Sequence, residues 1–192
     1  MQSPTEDYLI FNGKIIIVSE ENPHFDEAIN FLKKQTLVGF DTETRPSFKK
    51  GVSNKTTLIQ FATNDTAILF RLIKHQIPND LIPIFENPNI LKVGVGCSQD
   101  IQQLQKLKKF SAKGFIDIQT IAKSKGIDVL SLRKLSEKLF NKKISKRQQL
   151  SNWESKELTE AQIRYAATDA YAALLIYQKL LYELPSDNTQ KK

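Results

Sequence analysis

Leu37-Val38-Gly39-Phe40-Asp41-Thr42-Glu43 begins as an apolar run and ends in two carboxylates two positions apart. The run reads as a buried strand, and the period-2 alternation of a strand turns Asp41 and Glu43 to one face. Two carboxylates on one face repel each other unless a cation lies between them. No basic residue in the stretch compensates them. A carboxylate left unpaired among apolar neighbours costs on the order of several kcal/mol, so something positive must offset it.

Short apolar runs punctuated by turn residues surround this strand. Lys14–Ser19 reads as a strand, and 24–34 as a helix with Phe25, Ala28, Ile29 and Leu32 on one face. The segments 57–62 and 66–70 read as strands joined by a turn at Asn64-Asp65. A short helix at 80–86 and a strand at 91–95 follow. A helix is expected over 98–108, with Ser98 as its cap. Phe115–Ile118 is the last strand. Helices are expected at 119–125, 131–140 and 159–184, the last opened by the capping box Thr159-Glu160-Ala161-Gln162. Strands cluster early as hairpins and then alternate with helices, which implies parallel crossovers. The expected class is α/β, a mixed sheet flanked by helices. Residues 1–13 are an N-terminal extension, 14–184 the domain and 185–192 a flexible tail.

Two further acidic blocks stand out. Asp100 in Gly96-Cys97-Ser98-Gln99-Asp100 follows a strand and opens a helix, and ligands of open α/β sheets collect at the carboxyl ends of strands. Tyr165 and Asp169 in Tyr165-Ala166-Ala167-Thr168-Asp169 are four apart on a helix and share a face. Blander roles exist for each: Asp100 as a helix cap, Tyr165 as a core residue among alanines, Asp169 as a partner of Arg164 or a lysine.

The chain has 192 residues, 40% of them hydrophobic and 26% charged, which suits one globular domain. The formal net charge of +7, from 28 basic and 21 acidic residues, favours a polyanionic partner, chiefly nucleic acid. One cysteine excludes an intrachain disulfide and two histidines make soft-metal chemistry unfavourable, so oxygen-bound hard cations are the natural ligands. No apolar run approaches the roughly 20 residues of a membrane span, and the first eight residues do not resemble a secretory signal. A cytoplasmic, intracellular setting is expected. Gly94-Val95-Gly96 fails the dinucleotide fingerprint because position 99 is Gln. No P-loop pattern appears, and two scattered histidines support no Ser-His-Asp triad.

Taken together, these blocks resemble the DEDD superfamily of 3′→5′ exonucleases, in the subtype whose third motif carries tyrosine (the ribonuclease D and Werner-type branch). The motifs are Asp41-Thr42-Glu43, Asp100 and Tyr165-x-x-x-Asp169. Leu58-Ile-Gln60, Val93-Gly-Val-Gly96, Ser151-Asn-Trp153, Leu158-Thr-Glu160 and Tyr165-Ala-Ala-Thr-Asp-Ala-Tyr171 carry the likeness over nearly the whole domain.

The resemblance implies a ribonuclease H-like mixed sheet of five to six strands. It also implies hydrolysis of phosphodiester bonds from the 3′ end of nucleic acid, with release of nucleoside 5′-monophosphates and two Mg²⁺ or Mn²⁺ ions as cofactors. Asp41 then bridges the ions, Glu43 and Asp169 complete the site of the attacking water, Asp100 supports the second ion and Tyr165 positions the water. Thr42, Phe48, Lys146 and Arg147 are the expected substrate contacts, with Arg45, Lys49, Lys50, Lys55, Lys142 and Lys143 as further basic candidates or plain solvated surface. Trp153 is expected as a core anchor rather than a stacking platform. DNA is favoured over RNA, as a single-stranded or recessed 3′ end, with DNA repair as the setting. The helicase and C-terminal helical domains of relatives are not seen in this sequence, so targeting is expected either to be borrowed, from a helicase or repair partner in trans, or to be dispensed with. Oligomeric state is not readable from the sequence.

Overall fold

The structure is a computed structural model that describes residues 7–46 and 54–182. Its strands are β1 (Lys14–Val18), β2 (Leu37–Thr44), β3 (Thr56–Ala62), β4 (Thr66–Arg71), β5 (Leu91–Gly94) and β6 (Phe115–Asp117). They form one mixed sheet in the order β1-β4-β3-β2-β5-β6. The run β2-β3-β4 is an antiparallel meander. β5 and β6 continue parallel from β2, while β1 joins the far edge parallel to β4. The early strands are therefore only partly hairpins, since β1 pairs with a strand some fifty residues ahead rather than with its neighbour in sequence.

The helices are α1 (Phe25–Lys33), α2 (Ile82–Glu86), α3 (Cys97–Leu107), α4 (Ile118–Ser124), α5 (Leu132–Phe140) and α6 (Glu160–Tyr182). β2 shows how alternation divides the molecule into layers. Val38 and Phe40 face a core built with Phe25, Phe61, Phe70 and Phe85, covered by α1 to α3. Gly39, Asp41 and Glu43 share the opposite face, under α6. A methyl group at Gly39 would lie 1.8 Å from the Ala170 carbonyl oxygen, so α6 rests directly on the strand. Alanines 166, 167, 170 and 173 on α6 are fully buried and make that approach sterically open.

Local signals set the ends of the helices. Thr159 and Gln162 bond reciprocally, Gln162 N to Thr159 Oγ1 at 3.2 Å and Thr159 N to Gln162 Oε1 at 2.9 Å, completing the expected capping box. Ser131 Oγ caps α5. Ser98 does not cap α3: it lies inside the first turn, and left-handed Gly96 (φ 71°) turns the chain into the helix.

The segment before β1 is seated on the domain. Phe11 is buried, its N–H donates to Thr168 Oγ1 at 3.1 Å, and Leu9 N donates to the Lys143 carbonyl at 2.8 Å. Among the described residues, no helix is long and apolar enough to cross a membrane.

Candidate active site

Three elements bring the acids together. β2 supplies Asp41 and Glu43 on the face it turns to α6, and α6 answers with Asp169 one residue before its contact with Gly39. One carboxylate oxygen from each lies within 4.8 Å of the others. Asp100 arrives from the opposite layer, in the first turn of α3 just beyond the carboxyl end of β5. Thr42, which alternation points away from α6, donates its hydroxyl to Asp100 Oδ1 at 2.5 Å. All four acids and Tyr165 line one cleft of about 520 Å³.

The three clustered carboxylates are costly. Burial pushes the pKa of Asp41 well above the usual carboxylate range, and repulsion from Asp169 and Asp100 adds to the rise. Glu43 is raised by burial, then by Asp41, Asp169 and Asp100. Burial lifts Asp169 to about 7, against hydrogen bonding from Tyr165 and the charge of Arg133. Burial lifts Asp100 to about 6, opposed by its bond from Thr42. Tyr165 is raised further by burial and by the neighbouring carboxylates, so its hydroxyl stays protonated and serves as a donor. The Tyr165 ring also packs on Trp153, with centroids 6.0 Å apart.

This donor set fits hard divalent cations. It consists of oxygens alone, its members repel one another, and Asp169 Oδ1 is buried with no hydrogen-bond partner. A cation would relieve repulsion and orphaned acceptor together.

The remaining expected contacts are distributed as follows. Thr42 commits its hydroxyl to Asp100. Lys146 and Arg147 are exposed on the loop before Trp153. Arg147 lines a second cavity, of about 300 Å³, walled by Leu9, Ile10 and Ile144 and sharing Tyr165 with the acidic cleft. Trp153 is a core residue, 1% exposed. Arg45 pairs with Glu154 at 3.1 Å, and Lys142 lies 3.8 Å from Asp7. Arg164 bonds Glu160 and the Phe11 carbonyl, so it is not the partner of Asp169. Phe48, Lys49 and Lys50 lie outside the described residues.

Sequence reasoning missed two residues here. Asp117 accepts from Gly96 N at 3.0 Å and from Gln119 N at 2.9 Å, fixing the turn that presents Asp100. Its position at a strand end just before a helix was the available signal. Arg133, on α5, lines the cleft, and nothing in its local sequence marks it.

A ribonuclease H-like sheet with Asp-x-Glu, Asp and Tyr-x-x-x-Asp gathered in one cleft defines a DEDDy-type exonuclease domain. The chain belongs to this family: a 3′-5′ exonuclease family model matches residues 16–185. It is 35% identical over 184 residues to the mouse bifunctional 3′-5′ exonuclease/ATP-dependent helicase WRN, covering 90% of this chain but only 13% of that protein. The exonuclease domain of Aedes aegypti Nibbler superposes with a TM-score of 0.78 at 26% identity, covering 92% of this chain and 93% of that one. Escherichia coli RNase D, an exoribonuclease involved in structured RNA processing, shares the fold with a TM-score of 0.75 at 21% identity, over 88% of this chain and 44% of that one.

Proposed function

We propose that this domain removes nucleotides from the 3′ end of nucleic acid, DNA in preference to RNA, releasing nucleoside 5′-monophosphates with the help of two Mg²⁺ or Mn²⁺ ions. The observation that carries the reading is the packing of Asp41, Glu43 and Asp169 within 4.8 Å, in a cleft that also holds Asp100 and Tyr165. Two bound divalent ions supply acidification of a water molecule and neutralisation of charge on the departing 3′ oxygen. Asp41, Glu43 and Asp169 would hold them, with Asp100 reaching in from the other side of the sheet. Tyr165 stays protonated and cannot serve as a base near neutral pH. Its hydroxyl donates to Asp169 and orients the attacking water in line with the leaving oxygen. The α6 helix thereby ties the positioning group and one ligand to a single rigid element.

The preference for DNA rests on the likeness to the helicase-linked relative, at 35% identity over 90% of this chain. A helicase or repair partner acting in trans and an intracellular setting belong to the same proposal.

The test uses 5′-labelled single-stranded DNA, recessed DNA duplex and RNA, each with Mg²⁺, Mn²⁺ or chelator. The expected result is a ladder shrinking from the 3′ end on DNA, abolished by chelator and by Asp41→Ala in a protein that remains folded. A ladder on RNA alone overturns the sugar preference. Undiminished cleavage by Asp41→Ala overturns the assignment of the site.

A further inference from the structure

We propose that Arg133 is a phosphate-binding residue of the acidic cleft, gripping a backbone phosphate of the substrate strand with its two terminal guanidinium nitrogens. The inference rests on the nuclease reading above and adds a residue that none of the family's motif blocks contains. Among the described residues that line the cleft, Arg133 is the one basic side chain. Two bound divalent ions would offset the four acids, and a polyanionic strand entering the cleft gains further from a fixed positive charge placed beside them.

The geometry of Arg133 matches that need. It stands in the first turn of α5, half-buried, and its Nε donates to the Ile144 carbonyl at 2.9 Å. This bond fixes the guanidinium, and among the described residues Nη1 and Nη2 have no hydrogen-bond partner. An arginine present only to neutralise Asp169 would close an ion pair with it. Arg133 lies near enough to lower the Asp169 pKa, yet among the described residues it makes no ion pair, with Asp169 or any other acid. An anchored guanidinium with an open two-nitrogen edge is the form that recognises phosphate bidentately. Lys146 and Arg147 are exposed on a neighbouring loop and do not line the cleft. The contact beside the acids therefore falls to Arg133.

The competing role is structural, with Arg133 merely holding the Ile144 carbonyl. The two roles separate when binding is measured without turnover. An Asp41→Ala background prevents cleavage, and fluorescence anisotropy of a labelled single-stranded DNA, in Mg²⁺ and across a salt series, reads affinity. Arg133→Ala and Arg133→Gln are expected to weaken binding on the order of 10- to 100-fold, as for loss of a hydrogen bond to a charged group. They should also lower the salt slope by about one. Arg133→Lys keeps the slope and loses part of the affinity, because charge survives and the planar fork does not. Wild-type affinity and slope in Arg133→Gln overturn the proposal, whatever happens to its melting temperature. Absence of cleavage by the unmutated protein on every substrate would instead sink the nuclease reading, so the two failures are distinguishable.

Discussion

Gln60 sits directly across from Asp41 in the β2–β3 ladder, on the same face. It is 0% exposed, and neither its amide nitrogen nor its carbonyl oxygen has a hydrogen-bond partner. Each orphaned group carries a desolvation penalty of about 1–3 kcal/mol, which an apolar side chain of similar size does not incur. Gln60→Leu is therefore expected to raise the melting temperature in chelator by on the order of 5 °C. Scanning calorimetry checks this, and a fall would mean that the carboxamide finds partners the geometry does not show. Stability is thus surrendered at the position beside the acid cluster, the pattern expected where function rather than folding constrains the residue. At this scale the sequence was legible wherever a period fixed two side chains on one face. Asp41 with Glu43 follows from the strand period, and Tyr165 with Asp169 from the helix period. Arg133 was not legible, because it stands more than thirty residues before Tyr165 and reaches the cleft only through the packing of α5 on α6.

The contact between α6 and β2 shows how whole elements set the site. Gly39 lets the helix backbone approach until there is no room for a methyl group, whose nearest neighbour would be the Ala170 carbonyl at 1.8 Å. Because that neighbour is backbone, relief requires moving the helix, and Asp169 adjoins Ala170. Gly39→Ala is expected to destabilise the protein by about 3 kcal/mol, at the upper end for overpacking, and to cut activity beyond what the unfolded fraction explains. Chemical denaturation paired with the cleavage assay measures both. Gly126→Ala serves as a control: its φ of 71° strains alanine, but nothing lies within 4 Å of the added methyl group. It should cost about 1 kcal/mol and leave activity per folded molecule intact. Elements were legible where apolar runs are bounded by turn residues, so six strands and six helices fall close to their expected places. The start of α3 was misjudged because Ser98 is a good cap by type, whereas left-handed Gly96 ends the preceding loop earlier. The parallel pairing of β1 with β4 was hidden for a different reason. No local signal states which distant edge an isolated short strand will join.

At the scale of the molecule, a chain of net charge +7 keeps a cleft in which burial raises all four carboxyl groups above their ordinary range, with repulsion adding to the rise at Asp41, Glu43 and Asp100. Unfolded Asp and Glu titrate near 4, while folded Asp100 and Asp169 titrate at about 6 and about 7. Between those limits the folded state binds more protons than the unfolded state. Unfolding free energy therefore falls as pH rises through that window. Without metal, the protein should melt at a lower temperature at pH 8 than at pH 5. Divalent cations compete with those protons for the same oxygens, and ligand binding stabilises only the folded state. Millimolar Mg²⁺ or Mn²⁺ should therefore raise the melting temperature by several degrees at pH 8 and hardly at all at pH 5. Asp169→Asn removes one of the clustered carboxylates, so it should flatten the pH dependence in chelator and shrink the metal response at pH 8. Differential scanning fluorimetry over pH, with and without metal, on both proteins isolates the cluster from every other titrating group. A metal response of equal size at pH 5 and pH 8, or one that survives Asp169→Asn unchanged, would place the bound cation elsewhere on the surface and remove the physical reason for gathering these acids in one cleft.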